Sequence, residues 1–212
     1  MIDLHTHTFF SDGALVPSEL VRRAQARGLT GIALTDHGDT SNIDFIIPRI
    51  VAVAGDLNRV LTGIRVVPGI ELTHVPPALI PEAAERSRSL GARIVVVHGE
   101  TIAEPVAPDT NAAALDADVD VLAHPGLITP DLAATAARRG VLLEITARKG
   151  HSLSNGHVAR RARDAGAEMV VNTDAHAPGD LIDAAFALSV VRGAGLSGAD
   201  FRRMQNNAAA FL

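Results

Sequence analysis

The sequence predicts an α/β barrel of seven parallel strands, a (β/α)7 arrangement one unit short of the common eight. Apolar runs of strand length alternate with amphipathic runs of helix length along all 212 residues, which implies parallel pairing through right-handed crossovers. Seven such units follow one another with no linker, low-complexity tract or shift in composition, so one domain over residues 1–212 is expected. A polar side chain able to bind metal closes every strand run, and a parallel barrel gathers its strand C-termini on one rim. An open doubly wound sheet is the alternative built from the same units.

The first strand run, residues 1–4, leads into His5-Thr6-His7. If it is extended, its period of two puts both imidazoles on one face, about 6–7 Å apart along the backbone, within reach of one ion. A loop with Asp12 follows, and Pro17 or Ser18 opens an amphipathic helix that Gly28 closes. The second run ends in Thr35-Asp36-His37-Gly38, with a helical pattern over about residues 41–61. The third ends at Glu71, with His74 in the loop beyond. A helix ending at Leu90-Gly91 precedes the fourth, which His98 closes before Gly99-Glu100. Residues 101–112 form the longest irregular connection. The fifth run ends at His124 and is followed by a helix over about residues 130–139. The sixth carries Glu144 and enters a loop with Arg148, Lys149 and His151, then a helix over about residues 155–165. The seventh ends in Asp174-Ala175-His176, and the chain from Pro178 onward reads as helical.

Composition narrows the chemistry. With 47% hydrophobic and 20% charged residues the chain is globular. Aromatics at 3% offer no base-stacking surface, and a net charge of -5 argues against a main role in gripping a polyanion. Cysteine is absent, which removes thiolate catalysis and leaves imidazole and carboxylate as metal donors. Neither a signal peptide nor a membrane-length apolar run is visible, and a cytoplasmic protein with no membrane partner is expected.

Six of the nine histidines, His5, His7, His37, His98, His124 and His176, stand at strand ends, and His74 and His151 lie in loops of the same rim. Random placement does not produce this set. His5-Thr6-His7, Ser11-Asp12-Gly13, Thr35-Asp36-His37, Gly69-Ile70-Glu71, His98-Gly99, His124-Pro125 and Asp174-Ala175-His176 resemble, as an ordered series, the motifs of the PHP (polymerase and histidinol phosphatase) family. The resemblance covers nearly the whole chain and is most like compact histidinol-phosphatase-like members. It implies a distorted, TIM-like (β/α)7 barrel with two or three divalent ions, Zn, Mn or Fe. Carried over by position, it puts His5, His7, Glu71 and Asp174 on a first ion. Glu71 bridges to a second, also held by His98 and His124, and Asp12, His37 and His176 hold a third. Glu71, Asp174 and His176 are the implied catalytic residues.

Clustered dications call for a strongly anionic guest, and a metal-bridging hydroxide attacking phosphorus makes phosphoester hydrolysis the favoured reaction. Arg148, Lys149, the only lysine, and His151 are placed to bind phosphate, with His74 near the substrate. Glu144, Asp36 and Glu100 are expected behind the ligands, orienting them. The partner is a small phosphorylated substrate, with histidinol phosphate the leading candidate. Alternatives are a nucleotide or nucleic-acid phosphoesterase, a non-catalytic RNA-binding subunit of the ribonuclease P type, and an amidohydrolase with one or two ions. The acidic charge and complete ligand series disfavour the RNA-binding subunit.

Overall fold

Strand-forming runs become β1 (Ile2–Asp3), β2 (Gly31–Leu34), β3 (His37–Gly38), β4 (Arg65–Leu72), β5 (Ile94–His98), β6 (Val121–Ala123), β7 (Leu142–Thr146) and β8 (Met169–Asn172) in a computed structural model that describes residues 1–212. The sheet order is β1-β2-β4-β5-β6-β7-β8, and every pairing is parallel. β3 continues β2: Gly31 pairs with Arg65 and His37 with Glu71 in one register, so the two pieces are a single strand interrupted at Thr35-Asp36. A parallel bridge between Thr6 and Ala175 joins the first strand to the last. It is held by the Asp174 N–H to the His5 carbonyl and the His7 N–H to the Ala175 carbonyl, both 2.9 Å. The result is a nearly closed barrel of seven parallel strands, and the doubly wound alternative is excluded.

Around it lie α1 (Pro17–Ala26), α2 (Ile43–Val60), α3 (Ile80–Ser89), α4 (Thr110–Asp116), α5 (Pro130–Arg139), α6 (Asn155–Ala165), α7 (Ala184–Gly193) and α8 (Gly198–Ala209). Two predicted elements need correction. The irregular connection after β5 stops at Asp109, because α4 begins at Thr110. Glu100 and Asn111 secure that helix start by exchanging bonds, each backbone N–H donating to the other side chain at 3.0 and 2.8 Å. The chain after Pro178 is not helical at once: α7 starts only after Asp183, whose carboxylate accepts from the Phe186 N–H at 2.8 Å as an N-cap.

The strand period decides what the barrel holds. Ile2, Leu4, Ala33, Val67, Ile94, Val96, Val121, Leu142 and Val170 fill the interior below the rim, while the opposite faces pack against helices in a larger apolar cluster. The chain's end packs across the bottom, where a Cβ on Gly31 would lie 2.6 Å from Leu212 Cδ2. Gln205 on α8 pairs both ways with the Ile2 backbone, accepting from its N–H at 2.7 Å and donating to its carbonyl at 3.2 Å. β1 is thus tied on its otherwise open side. No helix is long and apolar enough to cross a membrane.

Candidate metal centre

Strand alternation aims several donors inward directly. Glu71, His98, Glu144 and Asp174 each lie two or four residues beyond an interior apolar residue of their own strand, namely Val67, Val96, Leu142 and Val170, and so share its face. His124 follows Ala123, itself in the interior cluster, and falls on the wrong face. Its backbone corrects this by adopting φ 29°, and Asp174 also sits at φ 54°. Left-handed backbone at non-glycine residues costs roughly 1–3 kcal/mol each and gathers at functional sites.

The inward donors form one buried cluster. His5 Nε2 is 3.3 Å from Glu71 Oε1, His7 Nε2 is 3.2 Å from Asp174 Oδ1, and the crossed pairs lie at 3.8 and 3.7 Å. The His5 and His7 ring centres are 5.1 Å apart. Asp12, on the first loop, reaches His37 Nε2 at 3.5 Å and His176 Nε2 at 3.2 Å, and these two nitrogens are 3.3 Å apart. His98, His124 and His151 bring ring nitrogens within 4.8 Å of one another, with His151 stacked on His124 at 4.3 Å. Glu71 spans the middle, 3.6 Å from His124 and 2.7 Å from His37. The carboxylate beside His98 is not Glu71 but Glu104, at 3.1 Å.

Eight buried atoms of this cluster have no hydrogen-bond partner: His5 Nε2, both nitrogens of His7 and of His124, Glu71 Oε1, His98 Nδ1 and Asp174 Oδ1. A buried unsatisfied polar atom costs about 1–3 kcal/mol. Eight of them would consume most of the roughly 5–15 kcal/mol by which a protein is stable. Imidazole and carboxylate converging in this way fit divalent cations, which would satisfy one nitrogen of each ring and the carboxylate oxygens that face it. Burial and neighbouring charges split the protonation of these groups. Burial drives Asp174 up to about 7, against the pull of His5. Burial, with neighbouring histidines, holds His7 and His124 well below the usual imidazole range, leaving lone pairs for metal. His5 goes the other way: burial opposes its charge, but Glu71, Glu144 and Asp174 raise it well above the ordinary value.

The supporting carboxylates divide. Glu144, fully buried, accepts from His5 Nδ1 at 2.8 Å, from Asn172 at 2.9 Å and from the His124 N–H at 3.1 Å. It therefore fixes the orientation of His5 and the strained turn at His124. Asp36 touches no histidine. It accepts from Thr8 N–H and Oγ1 and from Ser11 N–H and Oγ, holding the loop that presents Asp12. Glu100 serves the start of α4 and does not orient a ligand, a correction to the expectation.

A pocket of about 240 Å³ opens on the cluster, lined by ten residues, none hydrophobic. Arg148 lines it, held by Asp180 at 3.3 Å. Lys149, expected on the phosphate, does not line it and is exposed. The side chain that follows Arg148 in the loop simply points to solvent. His74 and His151 also line it, His74 paired with Glu104 at 3.2 Å and His151 with its Nδ1 on Thr101 Oγ1 at 2.7 Å. Two functional residues escaped the sequence reading. Glu104 carried no signal, lying amid Ala and Pro in an irregular stretch. Asp180 accepts from the His176 and Ala177 N–H groups at 2.9 and 2.8 Å, a turn signal four residues beyond the last motif.

Fold and site together define an α/β barrel with a candidate metal centre on its rim, and comparison with known proteins supports a metal-dependent phosphoesterase. The PHP domain family model matches residues 3–124. The chain is 49% identical to an uncharacterized protein of Methanocaldococcus jannaschii, over 92% of this chain and 90% of that one. It is 28% identical to a probable phosphatase of Shewanella sediminis, over 90% and 84%. Among solved structures it resembles histidinol phosphate phosphatase from Lactococcus lactis, complexed with Zn, L-histidinol and phosphate, with TM-score 0.67 at 17% identity over 92% and 94%. It also resembles a chain of archaeal ribonuclease P with mature tRNA, with TM-score 0.72 at 16% identity over 98% and 89%. The chain belongs to the PHP domain family.

Proposed function

We propose that the protein hydrolyses a small phosphomonoester, with histidinol phosphate the leading candidate, and that its ions are held by His5, His7, Asp12, His37, Glu71, His98, His124, Asp174 and His176. The observation that carries this reading is the group of eight orphaned buried donor atoms beneath a wholly polar pocket. Divalent ions bound there supply an activated water and neutralise phosphate charge. The protein's own groups do the rest. Arg148, fixed by Asp180, presents a planar fork to phosphate oxygens. Glu71 joins the first two donor groups, and Glu144 keeps the His5 ring turned toward them. His74, half exposed at the mouth, is the proposed proton donor to the departing alkoxide.

The likeness to a ribonuclease P chain shows fold alone and does not choose between catalysis and RNA binding. A net charge of -5 and an intact donor series favour catalysis. Release of inorganic phosphate from a panel of phosphomonoesters, in Mn or Zn and again with chelator, tests the reading. Metal-dependent turnover of histidinol phosphate is expected. Turnover of nucleotides alone would replace the substrate but keep the class.

A further inference from the structure

A carboxylate is out of place at the mouth of a phosphate pocket, where it repels the guest, yet Glu104 is held there on the loop between β5 and α4. Its Oε2 lies 3.1 Å from His98 Nε2 and 3.2 Å from His74 Nε2, and its Oε1 lies 3.4 Å from His151 Nε2. Donors about 2.1 Å from one tetrahedral ion stand roughly 3.4 Å apart, and the buried pairs Glu71–His5 and Asp174–His7 show the same spacing at 3.3 and 3.2 Å. We propose that Glu104 is a metal ligand, capping from the loop the ion carried by His98.

The loop is built to hold it. Thr101, buried, pairs with His151 Nδ1 at 2.7 Å and accepts from the Ala103 N–H at 3.3 Å, which turns His151 Nε2 toward Glu104. The next loop presses on its back: Gly126 sits at φ 59°, and a Cβ there would lie 1.8 Å from the Glu100 carbonyl oxygen. His98 is buried, and Glu104 is the carboxylate that faces its Nε2. The series Asp12, His37, Glu71, Asp174 and the strand-end histidines does not include Glu104, and the assignment stands whether or not the substrate is a phosphomonoester. Glu104 is 41% exposed, so an incoming anion can reach and displace it.

The test is metal binding rather than turnover. Wild type, Glu104→Gln and the loop control Glu100→Gln are stripped and titrated with Zn or Mn by calorimetry, with metal content measured after dialysis and folding checked by circular dichroism. Glu104→Gln is expected to weaken one ion at least tenfold while the others bind as in wild type, and Glu100→Gln to keep a full complement. An anomalous peak within bonding distance of Glu104 in Mn-soaked crystals would agree. Equal affinities and ion counts in wild type and Glu104→Gln would overturn the proposal. So would an equal loss in Glu100→Gln, which would trace the effect to loop integrity.

Discussion

Arg148 and Lys149 are neighbours in sequence, and the structure separates their roles. Only Arg148 lines the pocket, anchored by Asp180. Arg148→Ala should raise KM by on the order of tenfold or more through loss of a charge-assisted fork, while Lys149→Ala should leave both kinetic constants within about twofold. Steady-state kinetics on the two variants checks this, and equal effects would contradict it. Asp174 sets a pH dependence. Burial raises its folded-state value to about 7, so its proton stabilises the metal-free fold at low pH, and that contribution is lost as pH rises through about 7. Metal needs the carboxylate form, so ion retention on dialysis should fall as pH drops from 8 to 6. Unchanged retention would count against Asp174 as a ligand. Glu71, His98, Glu144 and Asp174 were legible because strand alternation puts them on the face of an interior apolar residue. His124 reaches the same cluster only through a left-handed backbone, which no period reveals, and Glu104 only through the fold of a loop.

At the scale of elements, the rim depends on loops that lock one another. Gly126 is required twice over, by its positive φ and by the Glu100 carbonyl that fills the space of a Cβ. Gly126→Ala should destabilise by about 3 kcal/mol, read as a shift of the denaturation midpoint, and should loosen the loop bearing Glu104. A variant as stable as wild type would show that the two loops do not touch as described. Strand and helix positions were largely readable from periodicity, including the helices over residues 130–139 and 155–165, which match α5 and α6. The short α4 was not, because its start is secured by a reciprocal Glu100–Asn111 contact rather than by a helical pattern. The stretch before α7 failed for a related reason: its Asp180 side chain bonds the backbone of a turn, and such turns compete with helix.

Across the whole molecule, the first strand is at once a wall of the barrel and the support of the metal site. Ile2 and Leu4 are buried in the interior, Asp3 accepts from the Thr173 backbone and hydroxyl, and His5 and His7 follow within three residues. Removing residues 1–4 should therefore cost folding and metal together, read as loss of cooperative unfolding and of bound ion in one sample. A folded, metal-replete truncation would contradict the barrel closure described here. The buried donors are proposed to hold ions that act on a phosphomonoester. Phosphate release from histidinol phosphate should appear in the Mn- or Zn-loaded protein, vanish with chelator, and be absent from Glu71→Ala under identical loading. A metal-replete protein that releases no phosphate from any phosphomonoester, or a Glu71→Ala variant as active as wild type, would contradict it.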